Sequence, residues 1–152
     1  MRNYLFRGKT EAGFWVYGSL VQVGNFYCIL GDNANKELKL VCVYPSHGDH
    51  MWKCATCVRP KTVSQYIQTS DRNGVDLFEG DIVNLYDRHT TQETPNDVAL
   101  VVDRNTLIRR GGGYWKPQDC YYWEKIGNVY DNPELLDEQT RNWAKHYYFH
   151  EE

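Results

Sequence analysis

The chain has 152 residues and a formal charge of −3 at neutral pH. That length suits one domain with a core of its own, and that charge argues against a protein that coats duplex DNA through a basic field. No apolar run approaches the roughly 20 residues that a membrane helix needs, and residues 1–9 are too polar for a secretory signal. Because the five cysteines are an odd number, reduced thiols are favoured over a disulfide framework, and we expect a soluble, cytoplasmic protein.

The first half of the chain is rich in strand signals. Four segments combine aromatic and branched residues as strands do: residues 4–8, 14–23, 26–30 and 38–44. Gly24-Asn25 separates two of them and predicts a hairpin. Residues 45–61 are irregular, and the pattern over 62–70 fits either a turn of helix or an extended connector.

Two turn signals lead into the second half of the predicted sheet structure. Asn73-Gly74 suits a tight turn because both residues tolerate positive φ. Glu79-Gly80 lets the chain reverse before the alternating strand 81–87. Further strands are predicted at residues 97–103, 106–109, 121–123 and 125–130.

The C-terminal residues change character and predict one helix. Asn132 is a good N-cap, Pro133 fits the first helical position, and Glu134 suits the positive end of the helix dipole. The apolar residues that then recur on one face are Leu135, Leu136, Trp143, Ala144, Tyr147 and Tyr148. We expect a helix from about 133 to 148, with this stripe packed on its own sheet or on another subunit.

Two ordered blocks of the sequence, residues 58–83 and 124–136, resemble the YopX family of phage and prophage proteins. The resemblance implies a mainly β (α+β) fold of coiled β-sheets that include a small SH3-like barrel, with a C-terminal α-helix. It divides a single YopX-like domain, residues 1–152, into an N-terminal β region (about 1–57), the barrel (about 58–131) and the helix (about 133–148). It also implies a phage protein that forms a homo-oligomer in the cytoplasm of a bacterial host. The family supplies no catalytic residue to carry over.

One compact cluster has metal-ligand chemistry. His47, His50, Cys54 and Cys57 supply two imidazoles and two thiolates, the set that a structural zinc takes. The spacing is tighter than usual, since zinc ligand pairs commonly stand about a dozen residues apart. A redox CxxC is disfavoured because Pro60 interrupts the helix that such a motif would begin. A zinc site and unbound loop thiols stay open as alternatives, and no other cofactor is expected.

The segment 109–116 combines cations, glycines and aromatic rings. Its candidate ligand-binding residues are Arg109, Arg110, Tyr114, Trp115 and Lys116. Guanidinium groups bind phosphates, a glycine backbone admits close approach, and rings stack on bases. No GxxxxGK[ST] motif occurs, which excludes a P-loop. The other interpretation is a solvated arginine pair ahead of a glycine-rich hairpin turn.

A second polar cluster lies within the first YopX-like block. Its residues are Arg59, Lys61, Thr62, Ser64, Gln65 and Tyr66. Their cations, hydroxyls and amide are suited to a phosphate or a base edge. The alternative is a connector whose hydroxyls satisfy the backbone of adjacent turns.

These features predict a binding protein and not an enzyme. The sequence has no nucleophile elbow, no HExxH and no EF-hand loop. Together with the phage resemblance, they favour a sponge that serves immune evasion by sequestering a small anionic, nucleotide-type signal of host anti-phage immunity. Two alternatives are a nucleic-acid-binding or regulatory module that takes single strands, and a protein-interaction module that inhibits a host factor through the C-terminal helix.

Overall fold

The computed structural model describes residues 6–30, 40–41, 55–89, 94–104, 106–108, 114–115 and 121–149. Within these ranges the chain forms twelve β-strands, two 3-10 helices and one α-helix. The mainly β class with a C-terminal helix is confirmed. The predicted metal ligands His47, His50 and Cys54 lie outside the described residues.

The strands have the following bounds. They are β1 Phe6–Lys9, β2 Trp15–Val23, β3 Phe26–Leu30, β4 Leu40–Val41, β5 Ala55–Val58, β6 Ser64–Ser70, β7 Asp76–Phe78, β8 Asp81–Asp87, β9 Asp97–Asp103, β10 Thr106–Ile108, β11 Tyr114–Trp115 and β12 Tyr121–Asn128. The 3-10 helices are Pro60–Thr62 and Pro133–Leu135, and α1 is Glu138–Tyr148.

The chain divides into two compact units, residues 1–66 and 67–152. In the first unit the hydrogen-bonded strand order is β4-β5-β3-β2-β1, and the start of β6 pairs with β1. The predicted hairpin is confirmed, because β2 pairs antiparallel with β3. Val16, Ile29 and Val58 form the buried centre of this unit. A Cβ at Gly18 would overlap the carbonyl of Leu30, so this strand position requires glycine.

In the second unit, five antiparallel strands are joined in the order β11-β10-β9-β8-β12, an open order among the described residues. Strand alternation sends successive residues of β8 to opposite faces, and both faces are buried near Ile82 and Val83. One face carries Val83, Leu85, Leu100, Val102 and Leu107, and Leu77 of β7 packs with them. The other face carries Ile82, Ala99, Val101 and Ile108 and packs against α1 through Ala144 and Tyr148.

The C-terminal helix begins at Glu138 and not at Pro133. Leu136 has extended backbone and separates a short 3-10 turn from α1. Asp137 caps α1 by accepting a hydrogen bond from the Thr140 amide at 3.3 Å. Asn132, the expected cap, instead accepts from the amide of Asn128 at 3.2 Å. Among the described residues, no helix is long and apolar enough to cross a membrane.

Candidate functional site

A tight turn between β6 and β7 organises the site in the second unit. The carboxylate of Asp71 accepts hydrogen bonds from the amides of Asn73 and Val75, both at 2.9 Å. Gly74 has a φ of +80°, which its missing side chain permits. The turn signal at Asn73-Gly74 therefore operates as expected, with Asp71 as an additional cap.

The same turn is fastened to the outer edge of β12. The amide of Arg72 donates to the carbonyl of Trp123 at 2.8 Å, and the second carboxylate oxygen of Asp71 accepts from the amide of Lys125 at 3.0 Å. These bonds satisfy edge groups that would otherwise be open to pairing. They also fix where the side chain of Arg72 begins.

Arg72 extends from this turn over two tyrosine rings. Its guanidinium carbon lies 4.8 Å from the ring centre of Tyr86 and 5.7 Å from that of Tyr122. The two tyrosines are direct partners across the β8–β12 ladder. At the other end of the same face, the guanidinium carbon of Arg88 lies 4.4 Å from the Tyr122 ring centre. We call these four residues (Arg72, Tyr86, Arg88 and Tyr122) the arginine–tyrosine face.

The position of this face follows from strand alternation. Tyr86 and Tyr122 share the side of the sheet that carries Ile82, but they stand at the end of the strands away from that buried residue. Their neighbours in the strands, Leu85 and Trp123, pack into the opposite core. Tyr122 keeps 41% of its surface exposed, and both arginines are exposed.

Cations close to exposed rings are suited to nucleotides. A base stacks on a tyrosine or guanidinium plane, and a guanidinium group donates paired hydrogen bonds to a phosphate. The two guanidinium carbons lie at most 10.1 Å apart, the sum of their distances of 5.7 and 4.4 Å from the Tyr122 ring centre. One exposed ring thus lies close to two anion-binding groups.

A carboxylate moderates this positive charge. Glu124 lies two residues from Tyr122 on the same side of β12, and its oxygen is 3.8 Å from a terminal nitrogen of Arg72. Both side chains are partly exposed, so the ion pair is weak and leaves the arginine accessible to solvent.

The connector predicted as a ligand site lies in the first unit, and two of its hydroxyls are buried. Thr62 accepts from the Lys9 amide at 2.8 Å and donates to the carbonyl of Arg59 at 2.7 Å. Ser64 accepts from Nε of the buried Arg7 at 3.0 Å. These contacts are the ones that a structural connector makes.

The remaining connector residues are more accessible. Arg59 and Lys61 are exposed, and Arg59 pairs with the carboxylate of Glu11 at 3.3 Å. Gln65 is exposed and Tyr66 is half-buried. The structure therefore does not gather the six predicted residues around one opening.

Most of the second predicted loop falls outside the described residues. Arg109, Arg110 and Lys116 belong to that part of the chain, while Tyr114 and Trp115 form the short edge strand β11. β11 pairs with β10, where Leu107 faces Trp115 in the register. The ligand-binding role of this loop stays a prediction.

Of the proposed zinc ligands, Cys57 alone lies in the described residues. It is on β5, not in an irregular loop, and its sulfur is 3.6 Å from the sulfur of Cys28 on β3. Burial, then the neighbouring Cys57 thiol, raise the pKa of Cys28 to about 11, so Cys28 is a thiol at neutral pH. Within the described ranges no group of three or more potential ligands surrounds a metal position.

Two acids elsewhere in the second unit are removed from solvent to different degrees: Glu79 is half-buried and Asp103 is buried. Burial, then the nearby charge of Asp103, raise the pKa of Glu79, and Arg104 opposes the shift from 4.0 Å. Burial likewise raises the pKa of Asp103. Both shifts follow from desolvation of a carboxylate.

Comparison with family models identifies the family of the chain. The model described as YopX protein matches residues 6–137. The chain belongs to the YopX family. This match covers both blocks that carried the resemblance and the turn that positions Arg72. Searches of curated proteins and of solved structures found no match.

Sequence reasoning missed the arginine–tyrosine face, although it identified the turn. Tyr122 was predicted to lie in a strand, but nothing local says that this strand pairs with β8, 36 residues away at the Tyr86–Tyr122 step. An exposed tyrosine alternating with a partly buried Trp123 was the available signal.

Proposed function

We propose that this YopX protein is a non-enzymatic binding protein that sequesters a small nucleotide-type anion. In this proposal it is phage-encoded, acts as a homo-oligomer in the cytoplasm of a bacterial host, and removes a signal of anti-phage immunity. The association of the family with phages supports the biological role. The chemistry of one face of the second unit supports the ligand class.

The observation that carries the proposal is the exposed ring of Tyr122 close to two guanidinium groups. The ring offers a stacking surface to any base, and stacking contributes about 1–3 kcal/mol per base. Arg72 and Arg88 bind the phosphates of the ligand. Because the turn and the ladder fix the backbone beneath them, little order has to be gained on binding.

The same residues suit sequestration without turnover. A guanidinium group stays protonated at neutral pH, so it holds an anion but accepts no proton from a nucleophile. A face built from such groups retains its ligand unchanged, which is what a sponge requires.

Single-stranded nucleic acid is the second candidate, and the openness of the face favours it. Tyr86 and Tyr122 stand side by side across two strands, with Arg72 close to the Tyr86 ring and Arg88 close to the Tyr122 ring. Such a row accommodates successive nucleotides of a strand as readily as one small ligand. The overall charge of −3 limits long-range attraction to a polyanion.

Titration calorimetry against a panel of mononucleotides, cyclic oligonucleotides and short single strands tests the proposal. We expect one small nucleotide class to bind more tightly than the strands. Mass spectrometry of small molecules released from denatured protein then identifies a co-purified ligand. Binding to strands alone, with a log–log salt slope near −1.4 for two arginine contacts, would select the second candidate.

A charge-matched pair of variants locates the site. Arg88→Gln removes a cation from the face and is expected to weaken binding about tenfold, since a charge-assisted hydrogen bond contributes about 1.5–3 kcal/mol. Arg104→Gln removes another exposed cation from the same unit but off the face. Absence of any nucleotide binding, or equal losses in the two variants, would refute the proposed function.

A further inference from the structure

The two sulfur atoms of Cys28 and Cys57 form a pair between neighbouring strands of the first unit. Cys28 on β3 stands directly opposite Cys57 on β5 in the antiparallel register, and the sulfurs are 3.6 Å apart. Directly opposite residues point to the same face of a sheet, with Cβ atoms about 4.5–5.5 Å apart. A disulfide needs about 3.5–4.5 Å between Cβ atoms and about 2.05 Å between sulfurs. A small side-chain rotation with a slight approach of the strands therefore suffices.

The pair is asymmetric in its access to solvent. Cys28 has no exposed surface, while Cys57 is partly exposed. A small oxidant therefore reaches Cys57 first, and the sulfur of buried Cys28 lies within contact distance of it. This is the arrangement of an attacked cysteine and a resolving cysteine.

We propose that Cys28 and Cys57 form a reversible cross-strand disulfide when the protein meets a peroxide. The Cys57 sulfur attacks one peroxide oxygen, the O–O bond breaks, and water leaves, which gives a sulfenic acid at Cys57. The Cys28 sulfur then attacks the Cys57 sulfur, the S–O bond breaks, and a second water leaves with the Cys28 proton. Two thiols lose two electrons in total, and the peroxide is reduced to two waters. A dithiol reductant reverses the step by exchange.

The bond has a structural consequence for the first unit. It ties β3 to β5, which are 29 residues apart in the chain. Closing a loop of that size restricts the unfolded chain. The oxidised protein is therefore harder to unfold than the reduced one, and the inference stands independently of what the second unit binds.

Peptide mapping of oxidised protein tests this proposal, and the sequence sets the design. No lysine or arginine lies between Cys54 and Cys57, so a tryptic peptide carries both. The variant Cys54→Ser removes this ambiguity and also removes a competing partner. Reduced Cys54→Ser protein is treated with a small excess of hydrogen peroxide, alkylated and digested without reductant. We expect a loss of 2 Da, two fewer alkylated thiols and one cross-linked peptide pair containing Cys28 and Cys57.

Two further arms complete the experiment. Cys28→Ser/Cys54→Ser protein, which lacks the resolving thiol, should gain oxygen at Cys57 without forming that link. Oxidised Cys54→Ser protein should melt about 5–10 °C higher than the reduced form, and dithiothreitol should cancel the rise. Wild-type protein, mapped with a protease that cuts between positions 54 and 57, covers the case in which the variant does not fold.

Several results would overturn the proposal. They are oxygen addition at Cys57 with no cross-link, a link from either cysteine to Cys42 or Cys120, and a cross-link with no change in melting temperature. Protection of Cys57 that ends only when a chelator removes bound zinc would assign Cys57 to a metal site instead. In contrast, failure of nucleotide binding has no bearing on any of these measurements.

Discussion

Each unit of this YopX protein holds an arginine against an aromatic ring, and the two arrangements differ in solvent access. In the first unit, the Arg7 guanidinium lies 4.5 Å from the Trp15 ring centre, and only 1% of Arg7 is exposed. In the second unit, Arg88 lies 4.4 Å from the ring centre of the exposed Tyr122. Nearly the same contact distance thus occurs in two environments.

The role of an arginine–aromatic pair therefore depends on whether the pair is buried or exposed. A buried cation has lost its water and must be compensated by protein contacts, so its removal damages the fold. An exposed cation near a ring contributes little to stability and remains accessible to an anion. The buried contact between Arg7 and Trp15 is therefore structural, and the arginine–tyrosine face is the candidate site.

The largest expected effect comes from the buried arginine. We expect Arg7→Gln to lower the free energy of unfolding by about 3 kcal/mol or more, because it removes the contact with Trp15 and the bond to Ser64. Arg72→Gln should change it by less than about 1 kcal/mol. Urea unfolding followed by tryptophan fluorescence measures both. Equal losses of stability in the two variants would contradict this distinction between a structural arginine and a binding arginine.

Ser64→Ala should have the next largest effect, about 2 kcal/mol of destabilisation. The substitution leaves Nε of buried Arg7 without its hydroxyl acceptor. Nucleotide affinity should stay unchanged when measured well below the unfolding transition. A large loss of nucleotide affinity in a fully folded Ser64→Ala protein would indicate that the connector is the binding site.

Tyr122→Leu tests the ring at the centre of the exposed face. Leucine keeps an apolar side chain but offers no π surface, so we expect nucleotide affinity to fall about tenfold while stability changes little. Tyr147→Leu is a suitable control, because Tyr147 is 44% exposed on α1 and lies outside the face. Calorimetry in one buffer compares the two. An unchanged affinity for Tyr122→Leu would exclude stacking on this ring.

Glu79 is a half-buried carboxylate whose effect on stability should depend on pH. Its pKa is raised from an ordinary value of 4.5, mainly by burial, so the folded state binds its proton more tightly than the unfolded state does. Its contribution to stability is present below pH 4.5 and is lost as pH rises through the folded pKa. Glu79→Gln should therefore gain stability relative to wild type as pH rises from 4 to 7, with its largest advantage at pH 7.

Thermal unfolding across this pH range checks the prediction. The proximity of Arg104 reduces the expected gain, since the pair is lost in the variant. An advantage that is larger at pH 4 than at pH 7 would contradict the assigned direction of the shift.

Glu124→Gln gives the smallest effect, with the opposite sign to the other changes on the face. Removing this carboxylate frees Arg72 from its ion pair at 3.8 Å and removes a negative charge beside the ligand. We expect affinity to rise about two- to threefold, in line with the modest energy of an exposed ion pair. The gain should shrink at high salt. A loss of affinity would mean that Glu124 positions Arg72 rather than competing for it.

The sequence predicted much of the fold where local signals were strong. β2, β3, β8 and β9 agree closely with their predicted ranges because each alternates or is bounded by turn residues. β5 was missed because Ala55–Val58 lies in a stretch of cysteines, histidines and prolines, and its strand conformation comes from pairing with β3. Of the two alternatives for residues 62–70, the extended one is observed, since the 3-10 helix ends at Thr62 and Ser64–Ser70 is a strand.

The candidate site was less predictable than the fold. The turn at Asn73-Gly74 was read correctly, but the partner that Arg72 meets depends on the distant register of β8 and β12. The helix start was placed too early for a similar reason. Arg141 bonds to the carbonyls of Pro133 and Leu136 and ties the short 3-10 turn to α1. No local sequence signal predicts these two hydrogen bonds.

The most direct test of the account is a matched pair of double variants titrated with the same nucleotide panel. Arg72→Gln/Arg88→Gln removes both cations of the arginine–tyrosine face, and Arg59→Gln/Lys61→Gln removes two exposed cations of the connector, so the net charge changes equally. The account predicts a loss of about 100-fold in affinity for the first protein and less than twofold for the second. The opposite order, with binding abolished by the connector variant and retained by the face variant, would contradict it.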